Sequence, residues 1–509
     1  MLIQLEGISL SFGPDPLLKD LSLSISEGDR VGLVGSNGCG KSTVLRVLLG
    51  QQDVDAGQVT SKRGLIVGYM PQEVAEHELS KTARDFLLEA IPERQREDEY
   101  WRADVALGEI ELEADAHDRP ISTLSGGWRR LLMAARAAIN EPDLLILDEP
   151  TNHLDLGKIL RFEAWLLAQR AATLVVSHDR QLLERCVNKT MFLRHDGLHV
   201  FSAPFGLARE ELVRIDTGKA RAQAKEEAEI ARLEAVAKRL MIWANLGGSN
   251  KMAKKSKAIQ HRADRMTEQK TDAFKDRRRE INLSQNQLRA KSLVSVNDHQ
   301  VTAPGGRHLF EIEKFFLRRG DRVCLLGLNG LGKSVFVRRL VKAIHENAGV
   351  AQDGILVNPQ VKLGYVDQQL EGLPEDQLVP DFLQDRFDLD NTRVVSELHA
   401  IGFPQREQKK KIGELSHGER SRLTFLCLKL MRPNLLILDE PSNHLDIAGQ
   451  ERLEELLSDP ALTCLLVTHD RTLLQSVPNR HVEIRNGELV EEDGAEDFLE
   501  RVRMEEMGD

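Results

Sequence analysis

Gly35-Ser36-Asn37-Gly38-Cys39-Gly40-Lys41-Ser42 and Gly327-Leu328-Asn329-Gly330-Leu331-Gly332-Lys333-Ser334 are two glycine-rich loops in one chain of 509 residues. Each loop follows an apolar run and precedes a helical pattern, so each is predicted to join a strand to a helix. Glycines at these positions let backbone N–H groups wrap a row of phosphates at a helix N-terminus. These segments, called the first loop and the second loop below, therefore predict two phosphate-binding sites.

The two loops belong to a longer internal repeat. The paired motifs are Val67–Gln72 with Leu363–Gln368, Leu124–Gly127 with Leu415–Gly418, Leu144–Pro150 with Leu435–Pro441, and Val176–Arg180 with Val467–Arg471. Near-continuous apolar runs such as Leu144–Leu147 indicate buried parallel strands. The predicted fold class is α/β, with nucleotide-binding domains at residues 1–205 and 287–509 and a linker at residues 206–286.

The linker has a helical pattern of its own. A first helix is predicted from about Arg209 to Lys251, where Gly218 would delay its start or bend it. Asn245–Asn250 predicts a turn, and a second helix is expected to reach about Arg279. Two helices around a short turn suggest an antiparallel hairpin with a coiled-coil-like seam. The apolar residues expected on the first helix are Ile230, Leu233, Val236, Leu240 and Trp243.

Charge distinguishes the same segment. Between Lys219 and Glu280 there are 17 Lys and Arg against 9 Asp and Glu, a net charge of +8 in a chain whose total is −11. A charge run is usually a solvated helix face, but an excess of one sign beside a turn favours contact with a polyanion. The densest stretch is Lys251–Arg265, with Lys251, Lys254, Lys255, Lys257, Arg262 and Arg265.

The chain as a whole excludes several classes of protein. No run of 18 apolar residues occurs, so no membrane-spanning helix is expected. The five cysteines lack zinc-binding spacing and are expected to be reduced, which favours the cytoplasm.

Residues for phosphate and metal binding follow from the loops and the strands. Lys41 and Lys333 are expected to neutralise phosphate charge. Mg²⁺ ligands are expected from the hydroxyl that follows each lysine and, through water, from the carboxylate that ends each apolar strand. These candidate metal ligands are Ser42 and Asp148 in the first half and Ser334 and Asp439 in the second, to which the glutamines Gln72 and Gln368 are added.

Candidate catalytic residues stand beside the metal ligands. Glu149 and Glu440 directly follow the strand carboxylates and are placed to polarise an attacking water. Two histidines end the next strand and would contact the γ-phosphate, and two glutamines would sense the metal and the water. These are His178 and His469, and Gln72 and Gln368.

The Leu-Ser-Gly-Gly segment, Leu124–Gly127, opens another predicted helix. Ser125, Gly126 and Gly127 thus form a second helix N-terminus suited to a phosphate, although the first loop already supplies one. The spare site is explained if it caps the nucleotide held by the other half. Ser416 and Gly418 repeat the arrangement, so two ATP are expected between two halves of a monomer.

Taken together, these motifs resemble the ATP-binding cassette superfamily. Thr151–Asp155 and Ser442–Asp446, with the basic linker, are similar to the ABC-F subfamily over essentially the full chain. The resemblance implies two tandem ABC-type P-loop ATPase domains that use ATP and Mg²⁺. It also implies a ribosome-binding protein whose hairpin reaches rRNA and tRNA near the exit site.

Three residues depart from the family pattern. Phe12 stands where the family stacks an aromatic ring on adenine, but the equivalent in the second half is Pro304. Val335 replaces the hydroxyl of Thr43, and His417 replaces the first glycine of the second Leu-Ser-Gly-Gly segment. His417 belongs to the site of the first loop, whereas Pro304 and Val335 belong to the site of the second.

Other functions remain open from the residues alone. The gaps of 52 residues (72 to 124) and 47 residues (368 to 415) leave little room for an inserted arm. With the short hairpin turn, this favours a housekeeping translation factor over an antibiotic-resistance protein. A DNA-associated ATPase is one rival interpretation, because phosphate contacts carry no sequence information and do not separate ribosomal RNA from DNA. The ATPase subunit of a transporter is the other.

The departures predict two unequal sites. We expect the single variants Glu149→Gln and Glu440→Gln to differ in residual ATP hydrolysis, since each disables a site with different defects. Steady-state phosphate release and the amount of ATP retained by each variant measure the difference. Equal losses with equal retention would contradict the prediction.

Overall fold

The computed structural model describes residues 1–13, 16–152, 154–247, 250–268, 270, 292–346, 349–351, 353–367, 373–401, 403, 407–443 and 445–507. The described parts of residues 1–200 and 279–509 form one compact unit, and those of residues 201–278 form another. None of the helices in these ranges is both long and apolar enough to cross a bilayer.

Two sheets build the first half. Its strands are β1 (Ile3–Ser11), β2 (Pro16–Ile25), β3 (Arg30–Gly35), β4 (Ala56–Ser61), β5 (Val67–Met70), β6 (Leu144–Asp148), β7 (Ala172–Val176), β8 (Lys189–Arg194) and β9 (Gly197–Phe201). Strands β2-β1-β4 form an antiparallel sheet, and β5-β6-β7-β3-β8-β9 form the larger one. Because β5, β6, β7, β3 and β8 run parallel, their carboxyl ends share one edge.

Helices cover the first-half sheets. They are α1 (Lys41–Leu48), α2 (Ala83–Leu88), α3 (Trp101–Glu109), α4 (Gly126–Ala138), α5 (Leu156–Ala168) and α6 (Arg180–Cys186). Every residue of β6 and β7 is buried, as their apolar runs predict. One core packs α2 to α5 on the larger sheet, and a second joins α1 to both sheets.

The compact unit of residues 201–278 contains α7 (Phe205–Gly247) and α8 (Asn250–Glu268), which pack together. Helix α7 starts before Arg209 and continues through Gly218, so the expected delay at that glycine was wrong. The predicted helix end near Arg279 and the linker boundary at 286 lie outside the described residues.

The seam of the hairpin differs from the predicted stripe. Val236 and Trp243 are 39% and 62% exposed. Beyond Leu212, the buried residues described on α7 lie seven apart, at Gln223, Ile230, Ala237 and Ala244, and those on α8 are Ser256 and Ala263. Small side chains let the helices approach closely, and Ser256 Oγ donates to the carbonyl of Ala237 at 2.7 Å. The predicted stripe is thus confirmed at Ile230, whereas Ala237 and Ala244 lie in the seam in place of Val236 and Trp243.

The second half repeats the α/β design within one sheet. Its strands are β10 (Ser292–Thr302), β11 (His308–Arg318), β12 (Arg322–Leu326), β13 (Ile355–Val357), β14 (Leu363–Val366), β15 (Leu435–Asp439), β16 (Cys464–Val467), β17 (Arg480–Arg485) and β18 (Glu488–Glu492). The order is β13-β10-β11-β18-β17-β12-β16-β15-β14, because β11 pairs with β18. The predicted fold of two tandem α/β domains is confirmed.

The helices of the second half are α9 (Lys333–Glu346), α10 (Val379–Phe387), α11 (Asn391–Ala400), α12 (His417–Met431), α13 (Ile447–Leu457), α14 (Arg471–Ser476) and α15 (Ala495–Met507). Helix α15 packs on α5 of the first half through an apolar cluster that includes Leu156, Leu326 and Phe498. All five cysteines are free thiols, as expected.

Buried charges also join the two halves. Arg471, 4% exposed, donates to Glu163 Oε1 at 2.5 Å and to Asp179 at 3.1 Å. In the reciprocal position, Arg180 donates to Glu454. Glu163 and Glu454 each lie eight residues after the aspartate of Asn-His-Leu-Asp, so the two contacts are related by the repeat.

Removing Arg471 should therefore weaken the pairing of the halves. Arg471→Ala leaves Glu163 buried beside Asp179 without their shared cation, which costs about 3–5 kcal/mol. The measurement is the urea concentration at the unfolding midpoint, compared with that of Arg185→Ala. Arg185 also contacts Glu163, at 3.1 Å, but its side chain is 47% exposed, so a small change is expected. Equal effects of the two variants would refute the role of Arg471.

Candidate functional site

The first loop is built at the end of β3. Helix α1 begins at Lys41, after Gly40 with a φ of 103°. A Cβ on Gly35 would lie 2.6 Å from Leu193 O, so the loop backbone can pass there only as glycine. Lys41 Nζ donates to Gly35 O at 2.7 Å and to Ser36 O at 3.3 Å. The lysine is thus folded back under the loop, at the helix N-terminus.

The second loop has the same construction. Helix α9 begins at Lys333, whose Nζ donates to Gly327 O at 2.7 Å and to Leu328 O at 3.0 Å. Burial lowers the pKa of Lys333, and the nearby Glu440 carboxylate opposes that shift. In both loops the lysine that begins the following helix is therefore folded back onto the loop backbone.

Glu149 lies just beyond β6 in a strained conformation. Its φ is 48°, in the left-handed region that non-glycine residues rarely adopt. The backbone is held there because Glu149 N donates to Val176 O at 2.8 Å. Glu149 Oε1 lies 3.1 Å from His178 Nε2, whereas the buried Oε2 has no hydrogen-bond partner among the described residues. That oxygen has unused capacity to accept a hydrogen bond.

The same arrangement recurs at Glu440, whose φ is 53°. Its N–H donates to Val467 O at 2.8 Å, and its carboxylate accepts from His469 N at 3.3 Å. The His469 ring lies 3.1 Å from Asn329 Oδ1 of the second loop. Histidine and glutamate of each half therefore meet beside the phosphate-binding loop of that half.

Burial controls the protonation of these residues. It raises the pKa of Glu149 to about 8, and that of Glu440 also to about 8. Burial, together with Lys41, lowers the pKa of His178 to about 3, and burial with Lys333 does the same for His469. Both histidines are neutral at pH 7, so each can accept or donate a hydrogen bond without adding charge.

The candidate metal ligands fit a hard cation. Asp148 and Asp439 end their strands and are almost fully buried, and burial raises the pKa of each carboxyl. Ser334 is hydrogen-bonded to Asp439. A serine hydroxyl, a carboxylate and an amide oxygen are the donors that Mg²⁺ takes alongside phosphates. In the first half, the hydroxyl would come from Ser42 and the amide oxygen from Gln72. In the second half, Gln368 lies outside the described residues.

One cavity of about 1160 Å³ runs between the two halves. Its lining contains parts of both loops and candidate catalytic residues of both halves. From the sequence prediction it includes Ser36, Asn37, Gly38, Gln72, Glu149, His178, Asn329, Gly330, Gly332, Lys333, Ser334, Val335, Ser416, Gly418, Asp439, Glu440 and His469.

The Leu-Ser-Gly-Gly segments are placed unequally. Both open helices, since α4 begins at Gly126 and α12 at His417, each after a serine cap. A Cβ on Gly418 would lie 3.6 Å from Asn37 Nδ2, so the second segment reaches the first loop. Ser125, Gly126 and Gly127 are absent from the described lining of the cavity that holds Lys333. The contact of Gly418 with Asn37 is therefore the direct link that the structure shows between a Leu-Ser-Gly-Gly segment and a loop of the other half.

The departures from the family pattern are also visible. Phe12 is 63% exposed, beyond the end of β1, and Pro304 is exposed in the equivalent loop of the second half. The side chain of His417 lies outside the described residues. Predicted residues that do not line the cavity, besides Phe12 and Ser125–Gly127, are Gly35, Cys39, Gly40, Lys41, Ser42, Thr43, Asp148, Gly327, Leu328 and Leu331.

Several residues of the site were missed by the sequence analysis. Asp446 Oδ2 accepts from Asn37 N of the first loop at 3.3 Å. In the other half, Asp155 instead pairs with Lys158 at 2.5 Å, and Lys158 lies beneath Gly127. Position 158 corresponds to Gly449, so this lysine has no counterpart. The repeated Asn-His-Leu-Asp motif was the available signal for both aspartates.

Comparison with known proteins agrees with the repeat. The family model described as "ABC transporter" matches residues 18–152 and 311–443. The chain is 29% identical over 550 residues to "ABC transporter F family member 2" of Arabidopsis thaliana, covering 98% of this chain and 79% of that protein. It is also 29% identical to "Energy-dependent translational throttle protein EttA" of Mycobacterium tuberculosis, covering 92% and 89%.

A solved structure has a similar fold. It is the archaeal ribosome recycling factor aABCE1 in complex with the archaeal ribosomal stalk protein aP1. The TM-score is 0.65 at 19% identity, covering 97% of this chain and 92% of that one. At this identity the likeness extends to the fold alone.

The raised pKa of both glutamates predicts a pH dependence of ATP hydrolysis. A general base must be ionised, and a pKa of about 8 means that activity falls as pH drops through 8. Since kcat/KM reports the free enzyme, we expect it to rise between pH 6 and 9, about tenfold per unit at the acidic end. No second limb should come from His178 or His469, which stay neutral throughout.

Phosphate release at fixed Mg²⁺ measures this profile. The Glu149→Gln/Glu440→Gln protein is the control, and its residual rate should not depend on pH over this range. A wild-type profile that is flat from pH 6 upward would show that burial does not set the ionisation of these glutamates.

Proposed function

Because the chain belongs to the ABC-F family of tandem ATP-binding cassette ATPases, we propose that it binds the ribosome and modulates translation through its hairpin. The protein hydrolyses ATP, and the proposal concerns what that hydrolysis controls. The name of the Mycobacterium tuberculosis relative, an energy-dependent translational throttle, supports this assignment. The proposed partners are rRNA and tRNA near the exit site, which would place the protein in the cytoplasm.

The observation that carries the proposal is the outer surface of the hairpin. The cations of the Lys251–Arg265 region are all exposed, because the seam takes Ser256 and Ala263 instead. Trp243, Ile242, Met241 and Met252 are exposed as well. Exposed cations can bind the phosphates of RNA, and the exposed indole of Trp243 offers a surface on which a base can stack. The two features together are suited to RNA.

The site supports a nucleotide-dependent clamp. In each half, we assign the loop and its lysine to the phosphates, and the serine, the strand aspartate and the glutamine to Mg²⁺, which would offset phosphate charge. Glu149 and Glu440 would take the proton of the attacking water, held in place by His178 and His469. Ser416 and Gly418 would contact the phosphates held by the first loop, so ATP would favour closed halves and hydrolysis would release them.

Ribosome co-sedimentation tests the proposal. The Glu149→Gln/Glu440→Gln protein lacks both general bases and should stay closed with ATP, so it should sediment with ribosomes in ATP but not in ADP. Adding Lys254→Gln, Lys255→Gln and Lys257→Gln should reduce that binding and flatten its salt dependence, because fewer counterions are released.

A matched triple variant controls for net charge. Lys19→Gln, Lys314→Gln and Lys409→Gln remove three exposed lysines outside the hairpin and should leave ribosome binding unchanged. Failure of the double variant to sediment in any condition, with ATP still bound, would overturn the proposal. Tighter binding to duplex DNA than to ribosomes would favour the DNA-associated alternative.

A further inference from the structure

The second nucleotide site lacks an aromatic ring where the first has Phe12. The loop between β10 and β11, residues 303–307, occupies the same place in the fold as the loop after β1. From this region, Ala303, Arg307 and Leu309 line the cavity together with Lys333 and Val335. Among these, Arg307 alone carries a planar, delocalised group.

The packing within the second half brings the segment that carries Arg307 beside the second loop. Leu17 lies against Gly40 of the first loop, and Leu309 lies in the same way against Gly332 of the second. Leu309 is therefore the equivalent of Leu17, and Arg307 lies two residues before it. Arg307 is placed at the entrance of the second site, as the loop that carries Phe12 is placed at the entrance of the first. Arg307 is exposed, so its guanidinium can be covered by a ligand.

The loop that carries Arg307 is held in place. Ala303 N donates to Arg307 O at 2.8 Å, and Gly306 N donates to Ala303 O at 2.9 Å. Arg339 of α9 donates to Gln300 O and to Thr302 O, both at 3.0 Å. Because α9 begins at Lys333, Arg339 ties the base of this loop to the helix that starts the phosphate site. The corresponding residue in the first half is Val47, which cannot form that tie.

We propose that Arg307 is the base platform of the second site, where its guanidinium plane stacks on the adenine of ATP. Guanidinium groups are weakly hydrated and stack on aromatic faces, which an ammonium group does less well. Leu309 and Val335 supply apolar contacts beside the ring. This inference rests on the second loop holding ATP, as assigned above.

Comparing the binding of ATP with that of a triphosphate that lacks the base distinguishes a contact to the base from a contact to the phosphates. In the full-length Lys41→Ala protein, which leaves the second loop intact, ATP and ribose 5′-triphosphate are titrated by calorimetry. Arg307→Ala should weaken ATP about threefold to tenfold and leave ribose triphosphate unchanged. Arg307→Tyr should restore ATP binding, because it keeps a flat stacking surface, whereas Arg307→Lys should not.

The first site provides the matched control. In the Lys333→Ala protein, Phe12→Ala should weaken ATP and spare ribose triphosphate in the same way. Rescue by Arg307→Lys but not by Arg307→Tyr, or equal loss of both ligands, would assign Arg307 to the phosphates and overturn the proposal. No effect of Arg307→Ala would also overturn it. If the Lys41→Ala protein bound neither ligand whatever residue stood at 307, the assignment of the second loop itself would fail.

Discussion

The reciprocal charge contacts between the halves are the constraint on which the rest depends. Arg471 reaches Glu163 and Asp179 of the first half, and Arg180 reaches Glu454 of the second. Each arginine follows directly after a histidine and an aspartate that lie just beyond a core strand. The contacts that join the halves are therefore continuous in sequence with candidate catalytic residues that line the cavity between the halves.

Burial sets the protonation of both members of each glutamate–histidine pair. It raises the pKa of Glu149 and Glu440, and it leaves the neighbouring histidines neutral. A neutral pair beside a lysine is less costly to bury than a free carboxylate. The positive φ of both glutamates is compatible with a site in which backbone strain fixes the direction of a carboxylate.

Local features of the molecule could be predicted from sequence, and contacts between halves could not. Apolar runs ending in aspartate located β6 and β15, and the glycine-lysine pairs located the starts of α1 and α9, because each signal lies within one segment. The bond from Arg471 to Glu163 spans 308 residues and depends on tertiary packing. The hairpin seam was predicted correctly at Ile230 but misplaced at Val236 and Trp243, because the alanines and Ser256 that form the rest of the seam have weakly hydrophobic or polar side chains.

Covalent duplication has a consequence for how the two sites can diverge. In a dimer of identical chains, every substitution would enter both composite sites. Here Pro304, Val335 and Lys158 each occur once, and the pairing of unlike halves assigns each to a single site. Selection can therefore alter the residence time of the nucleotide in one site without altering that in the other. One polypeptide can then hold two nucleotides for different lengths of time.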